Sequence, residues 1–268
     1  MVTHLKTTFE KTIQGYAQGF HVRQIATFGL ATCTKDEKVE KVDERLPSFD
    51  QVPVTENEII IGVLEKGDKK ISGLVSENMR RLDDSLLVAA EEPLNDFLPT
   101  LVKPPFYKLV LEGSKITGIV TRSDMLKLPV RLYGFALVTN LELVMTEIIQ
   151  SHFEKDEEWL IFLTDNQQAK IKRQKRNYEK QRMDPPLIEM TNFGDKITIL
   201  EKLPIYPDFF INELKDIEKE LRNPLAHSVT FAPNKNKMKR FVDLTRLTQN
   251  CTNKLLTNLV DEKKGKLC

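Results

Sequence analysis

The sequence predicts an α+β chain, with an N-terminal α/β part built on a weak internal repeat and an all-α helical bundle behind it. Two observations carry this. Short β-branched runs bounded by polar turns recur in the first half, at residues 51–54, 59–64, 107–111 and 116–120, which is the pattern of buried strands. After Pro129 strands almost vanish, and apolar residues recur at the three-to-four spacing of amphipathic helices. The change of character at 128–132 sets a boundary between a domain at 1–130 and a domain at 131–268. The first divides again into units at about 25–75 and 76–130.

The elements follow in order. Gln51-Val52-Pro53-Val54 opens a strand, and residues 59–64 form a buried one closed by the turn-rich Lys66-Gly67-Asp68. Leu86-Leu87-Val88 is a further short apolar run. Residues 94–102 have helical spacing and stop before Pro104-Pro105. Strands at 107–111 and 116–120 flank a Glu112-Gly113 turn, and Ser123-Asp124 is placed to cap the helix that follows. Residues 132–153 then read as one long helix with Leu137, Leu141, Val144 and Ile148 inward. Residues 159–182 read as a second helix that begins apolar, with Trp159, Phe162 and Leu163 as core or dimer contacts, and ends charged. Asp184-Pro185-Pro186 breaks it. Shorter helices at 197–203 and 208–221 and a last amphipathic helix at 239–261 complete the chain.

Composition narrows the function classes. Lys and Arg number 40 against 39 Asp and Glu, a formal charge of +1, so any nucleic-acid contact must come from a local patch rather than a global basic field. Cys33, Cys251 and Cys268 are odd in number and widely spaced, which suggests neither a disulfide framework nor a zinc site. His4, His21 and His152 have no partners at metal-ligand spacing. The first ten residues hold no apolar signal core and no apolar run approaches 18 residues, so the expectation is a cytoplasmic protein without a membrane partner. Phosphate-binding glycine loops, GxSxG and HExxH are absent from the sequence.

The weak repeat pairs residues 49–64 with residues 106–120. The second copy continues as Gly118-Ile119-Val120-Thr121-Arg122-Ser123-Asp124-Met125. This string resembles the CBS motif, whose glycine, hydroxyl residue and aspartate recur in this order. The resemblance implies a CBS-motif pair that binds an adenine nucleotide as a regulatory ligand, with Thr121 and Ser123 facing phosphate and Asp124 facing ribose. A hydroxyl beside free N–H groups suits an anion, and a carboxylate suits two ribose hydroxyls. The same residues would also serve as a plain helix cap. In the first copy Glu65-Lys66 follows Gly62-Val63-Leu64, with no hydroxyl residue and no aspartate read at the matching place, so that copy is expected to be degenerate.

In the second half the informative string is Glu220-Leu221-Arg222-Asn223-Pro224-Leu225-Ala226-His227. It resembles the HEPN ribonuclease motif, an arginine followed by a polar residue and then a histidine, set among helices. Positions five apart lie about 140° apart around a regular helix, but Pro224 disturbs this interval, and a new helical start at Asn223-Pro224 would aim both side chains into one cleft. RNA is cut without a metal or other cofactor when its 2′-hydroxyl attacks the adjacent phosphorus. His227 has the pKa for the proton transfer, and the Arg222 fork suits the phosphate oxygens, with Asn223 positioning. The resemblance further implies a homodimer that shares the cleft, RNA as substrate, and a toxin or defence effector restrained by an antitoxin or another regulatory protein. Residues 126–133 run straight from the sensor into the first long helix, so a mechanical link is expected.

A basic segment with Lys172, Arg173, Lys175, Arg176 and Tyr178 would track an RNA backbone and stack on a base. As an alternative it is a solvated helix face. Two readings remain for the whole chain: a nucleotide-regulated, metal-independent endoribonuclease, or a nucleotide-responsive module that binds RNA or protein without cutting.

Overall fold

The computed structural model describes residues 15, 19–67, 71–226 and 234–265, with side chains through Leu259. The chain divides at Lys127/Leu128 into two compact units, one of which is Phe20–Lys127.

In the Phe20–Lys127 unit, β1 (Thr27–Phe28), β2 (Cys33–Thr34), α1 (Val39–Arg45), β3 (Gln51–Glu56) and β4 (Ile59–Glu65) precede α2 (Val75–Asn78) and β5 (Arg80–Arg81). Then come β6 (Leu87–Ala89), α3 (Leu94–Leu101), β7 (Tyr107–Glu112) and β8 (Lys115–Thr121). They form two four-stranded sheets, ordered β2-β3-β4-β5 and β1-β8-β7-β6. β1 precedes the first copy of the repeat but pairs with β8 of the second, while β5 precedes the second copy and pairs with β4 of the first. Each copy therefore lends a strand to the other's sheet.

The repeat is closer in structure than in sequence. A shift of 56 positions carries Gln51 to Tyr107, Val54 to Val110, Ile60 to Ile116 and Gly62 to Gly118. Both hairpins are antiparallel, and both slip register at the same place, Val54/Thr55 and Val110/Leu111. One apolar cluster, with Val39, Val42, Val52, Val54 and Leu64, belongs to the first copy. A second cluster draws Val63, Ile60 and Leu82 together with Tyr107, Leu109 and Ile116, so it fastens the copies to each other.

The exchanged strands pass over the two glycines. A Cβ on Gly62 would sit 2.4 Å from the Arg80 carbonyl oxygen, and one on Gly118 would sit 3.0 Å from that of Thr27. A close backbone crossing of this kind leaves no room for a side chain.

The helical unit contains α4 (Leu128–His152), α5 (Asp156–Leu160), α6 (Asp165–Lys180), α7 (Phe193–Leu200), α8 (Asp208–Ile217), a π-helical turn (Glu218–Arg222), α9 (Asn223–Ala226) and α10 (Lys235–Gly265). α4 is its axis and packs against α7, α9 and α10. Leu137, Leu141, Val144 and Ile148 are all buried, as their spacing predicts. α4 is also long and apolar enough to cross a membrane by length and composition, although Arg131, Glu142 and Glu147 interrupt its apolar residues, and 56% of its most apolar window is buried within the fold.

Two further differences have local causes. The helix expected over 159–182 is broken, because Thr164 starts α6 afresh with a capping box to Gln167. The cap expected from Ser123-Asp124 belongs instead to Thr121, and it opens only a 3-10 turn, Arg122–Leu126.

If the strand exchange holds the first unit together, Gly62→Ala should destabilise the chain by about 1–3 kcal/mol, and Gly118→Ala by less, since its Cβ has 0.6 Å more room. Urea unfolding followed by circular dichroism checks the ranking. Equal stability of Gly62→Ala and the parent would rule the argument out.

Candidate functional site

In the first unit the end of β8 and the turn after it line a cleft of ≈ 490 Å³ that also meets Thr27, Asp50, Gln51 and Phe106. Thr121, Arg122, Ser123 and Asp124 all face it, so the structure brings together the three residues expected to hold a nucleotide. The volume falls within the roughly 300–1,000 Å³ typical of small-molecule sites.

Their hydrogen bonds are partly spent internally. The Thr121 N–H donates to Asp124 Oδ2 at 2.6 Å, and the Thr121 and Ser123 hydroxyls bond each other at 2.7 Å. Asp124 is almost wholly buried, and its Oδ1 meets Lys127 Nζ at 2.7 Å. The cap role and the ligand role thus fall on the same atoms. A carboxylate offers about four lone-pair directions, so Asp124 keeps acceptor capacity after these contacts.

Sequence reasoning passed over Arg122. Its guanidinium lies 4.2 Å from the centroid of the Phe106 ring, and its Nη1 is buried with no hydrogen-bond partner. Among the described residues no carboxylate lies within ion-pair distance of it. Phe106 adopts a left-handed φ of 66°, a conformation costly for a bulky side chain, and it presents its ring to this cation. The available signal was a basic residue between two hydroxyl residues.

The 56-residue shift also explains why the two copies differ. It sets Glu65 against Thr121, Lys66 against Arg122, Gly67 against Ser123 and Asp68 against Asp124. An aspartate therefore does stand at the matching place in the first copy, contrary to the earlier reading, although Asp68 lies outside the described residues. The neighbouring positions are committed elsewhere. Glu65 accepts from the Tyr107 hydroxyl at 2.6 Å, and the largely covered Lys66 side chain is bonded to Asp43 at 2.8 Å and to the Leu46 carbonyl at 2.5 Å. Where the second copy keeps hydroxyls and a cation without an ionic partner, the first has both positions occupied by other groups of the fold.

A second, wider cleft of ≈ 1330 Å³ lies at the hairpin tips of the same unit, with Ile60, Ile116, Leu82 and Leu87 among its walls. None of the expected site residues lines it.

In the helical unit, α8 runs into the π turn and regains α-helical form at Asn223, one residue before Pro224. Proline cannot donate to the carbonyl four residues back, and its ring crowds that carbonyl. A wider turn just upstream relieves both, so the restart expected at Asn223-Pro224 is where the ladder changes. Arg222 is half-buried and donates from Nη1 to Asn223 Oδ1 at 3.2 Å. His227 lies outside the described residues, so its distance to Arg222 is left to experiment.

Neighbouring residues hold the Arg222 segment. Both Nε and Nη2 of Arg131 donate to the Leu225 carbonyl, at 3.1 and 2.7 Å, a cationic cap on a helix end. A Cβ on Gly134 would come within 3.0 Å of the Leu225 side chain, so α4 and α9 touch closely. Arg240 of α10 binds Glu220 at 2.7 Å and Asp216 at 3.0 Å. On the other side the Glu218 carboxylate lies over Gly194, whose absent Cβ would be 2.7 Å from it. Below it buried Lys196 pairs with Glu142 at 3.0 Å, and buried Asp195 accepts from Gln167 at 2.6 Å. Burial pushes the Glu218 carboxyl above the usual range. Arg222 pulls it down, and Asp195 and Glu142 push it further up.

The basic segment lies on α6. Lys172, Arg173, Arg176 and Tyr178 are exposed. Lys175 is bound to the Asp184 carboxylate and to the Pro185 carbonyl. Burial pushes the thiols of Cys33 and Cys251 up to about 11 and about 12, so neither offers a thiolate nucleophile near neutral pH.

No family model matches the chain, and no curated protein matches it. Among solved structures, the chain is similar to CBSX2 in complex with AMP, at 20% identity over 42% of this chain and 96% of that one, with a TM-score of 0.35. It is similar to the CBS domain of a bacterial CNNM/CorC family Mg2+ transporter, at 17% identity over 43% and 78%, TM-score 0.35. It is also similar to a CBS domain pair in complex with 5′-methylthioadenosine and S-adenosyl-L-methionine, at 16% identity over 39% and 95%, TM-score 0.35.

The raised Glu218 carboxyl has a measurable consequence. A carboxyl whose pKa rises on folding costs stability when ionised, so the cost is absent below the ordinary glutamate range and grows as pH rises through the raised value. Glu218→Gln should therefore melt higher than the parent at about pH 8 and level with it near about pH 4. Thermal unfolding at the two pH values decides, and a lower melting temperature for the variant at the higher pH would refute it.

Proposed function

We propose that the chain is a nucleotide-regulated endoribonuclease: a CBS-motif pair that binds an adenine nucleotide, joined to a HEPN-like helical domain that cuts RNA without a metal. The observation that carries the regulatory part is the convergence of Thr121, Ser123 and Asp124 on one cleft of nucleotide size. Their hydroxyls would exchange their mutual bond for ligand oxygens, and Asp124 would accept from ribose. AMP, 5′-methylthioadenosine and S-adenosyl-L-methionine are bound by proteins similar to this one, and they serve here as probes.

The catalytic part is supported by the way Arg131, Gly134 and Arg240 fix the segment that bears Arg222 and Asn223. In the proposed reaction His227 takes the proton of an RNA 2′-hydroxyl as its oxygen bonds to phosphorus. The 5′-oxygen leaves with a proton taken from water, and a cyclic phosphate remains. The Arg222 fork holds the phosphoryl oxygens, where charge grows, and Asn223 orients the fork. Two protomers would share the cleft. Lys172, Arg173 and Arg176 would neutralise phosphates flanking the cut, and Tyr178 would stack on a base. Regulation requires that the nucleotide bind one arrangement of the protein better than the other. The alternative is a module that binds RNA or a partner protein and does not cut. The intramolecular bond between Arg222 and Asn223 favours it, since that bond occupies part of the fork.

With EDTA present, the parent should cleave a labelled RNA, and Arg222→Ala and His227→Ala should each lose about 100-fold or more. AMP or S-adenosyl-L-methionine should change the parent's rate. A folded parent that leaves RNA whole under every ligand condition would sink the nuclease reading in favour of the binding module.

A further inference from the structure

Arg122 separates one class of ligand from its neighbours. The cleft carries three charged side chains, Asp50, Arg122 and Asp124. Asp124 is matched by Lys127. Arg122 has only the Phe106 ring beneath it, and one of its nitrogens is buried without a hydrogen bond. A ring face steadies a guanidinium but leaves its in-plane N–H groups unsatisfied. A guanidinium that lines a cleft without an ionic partner favours an anion there, and the fork geometry favours an oxyanion with two oxygens to offer. The first copy shows the contrast, because Lys66 at the equivalent position is bonded to Asp43 and a backbone carbonyl.

We infer that Arg122 makes this cleft selective for a nucleoside monophosphate, with the phosphate on the Arg122 fork beside the Thr121 and Ser123 hydroxyls. The inference rests on the nucleotide reading of the cleft and adds the ligand's charge to it. One cation without an ionic partner answers one phosphate. Adenosine brings no anion and leaves the guanidinium unsatisfied, and S-adenosyl-L-methionine brings one carboxylate that its own ammonium and sulfonium cations outweigh. Second and third phosphates would meet no further cation among the described lining residues, and they would add repulsion from Asp50 and Asp124. The expected order is therefore AMP first, ADP and ATP weaker, and adenosine and S-adenosyl-L-methionine weakest.

Isothermal titration of the full chain with these five ligands tests the order. Three variants accompany the parent: Arg122→Met, which keeps apolar bulk over Phe106, Arg122→Lys, which keeps the charge without the fork, and Asp124→Ala. The parent should bind AMP at least tenfold more tightly than adenosine. Arg122→Met should erase that difference by weakening AMP alone, with Arg122→Lys between the two, while Asp124→Ala should weaken AMP and adenosine alike. Raising the salt concentration should weaken AMP binding to the parent more than to Arg122→Met. Adenosine binding as tightly as AMP, or Arg122→Met weakening both equally, would overturn the selectivity while leaving the site itself in place. A parent that binds none of the five overturns both the site and its selectivity. Circular dichroism of each variant separates lost binding from lost fold.

Discussion

The close passage of two exchanged strands over Gly62 and Gly118 is the constraint on which the first unit depends. Each sheet is completed by a strand from the other copy, and each such strand is two residues long. Strands so short have little stability of their own. They are held because the backbone beneath them is bare enough for near contact. The same crossing sets Thr27 into the wall of the cleft that Thr121 and Asp124 also line. The shape of that cleft and the integrity of the fold therefore depend on the same few backbone atoms.

Much of the fold was legible in the sequence because it rests on periodicity. The four long strands follow from β-branched runs bounded by turns, and the inward face of α4 from three-to-four spacing, and both patterns match buried segments of the structure. β1 and β5 were not legible. Two residues carry no period, and pairing with a distant copy leaves no local trace. The interruption between α5 and α6 depends on a capping box at Thr164 within an otherwise helical pattern, so hydrogen bonding overrode the apolar rhythm. The start of α4 at Leu128 was missed because Pro129 reads as a breaker, although proline is tolerated within the first helical turn.

The candidate sites were legible in unequal measure. Thr121, Ser123 and Asp124 were singled out by residue type and spacing, and the fold sets them on one cleft. Arg122 was not, since its lack of an ionic partner shows only in the folded chain. The partners of Lys175, Asp184 and Pro185, lie beyond the end of its own helix, where no local pattern announces them. Arg131 lies far from the motif in sequence, yet it holds the carbonyl of Leu225 and so the end of the helix that bears Arg222. The polar groups under Glu218, Glu142, Gln167, Asp195 and Lys196, come from α4, α6 and α7, and no local pattern unites them.

The π turn makes the helix that bears Arg222 a matter of counting as well as chemistry. It accommodates an extra residue between α8 and Asn223, so a one-residue deletion within 218–222 could restore an unbroken α-helical ladder. The repair would rotate everything downstream by about 100°, swinging Asn223 and the Leu225 carbonyl away from their present partners. Point changes at the exposed Lys219 disturb no packed contact, whereas a shift in reading length by a single codon triplet would dismantle the arrangement. At Lys219 a genome can vary the letter far more freely than it can vary the spacing around it.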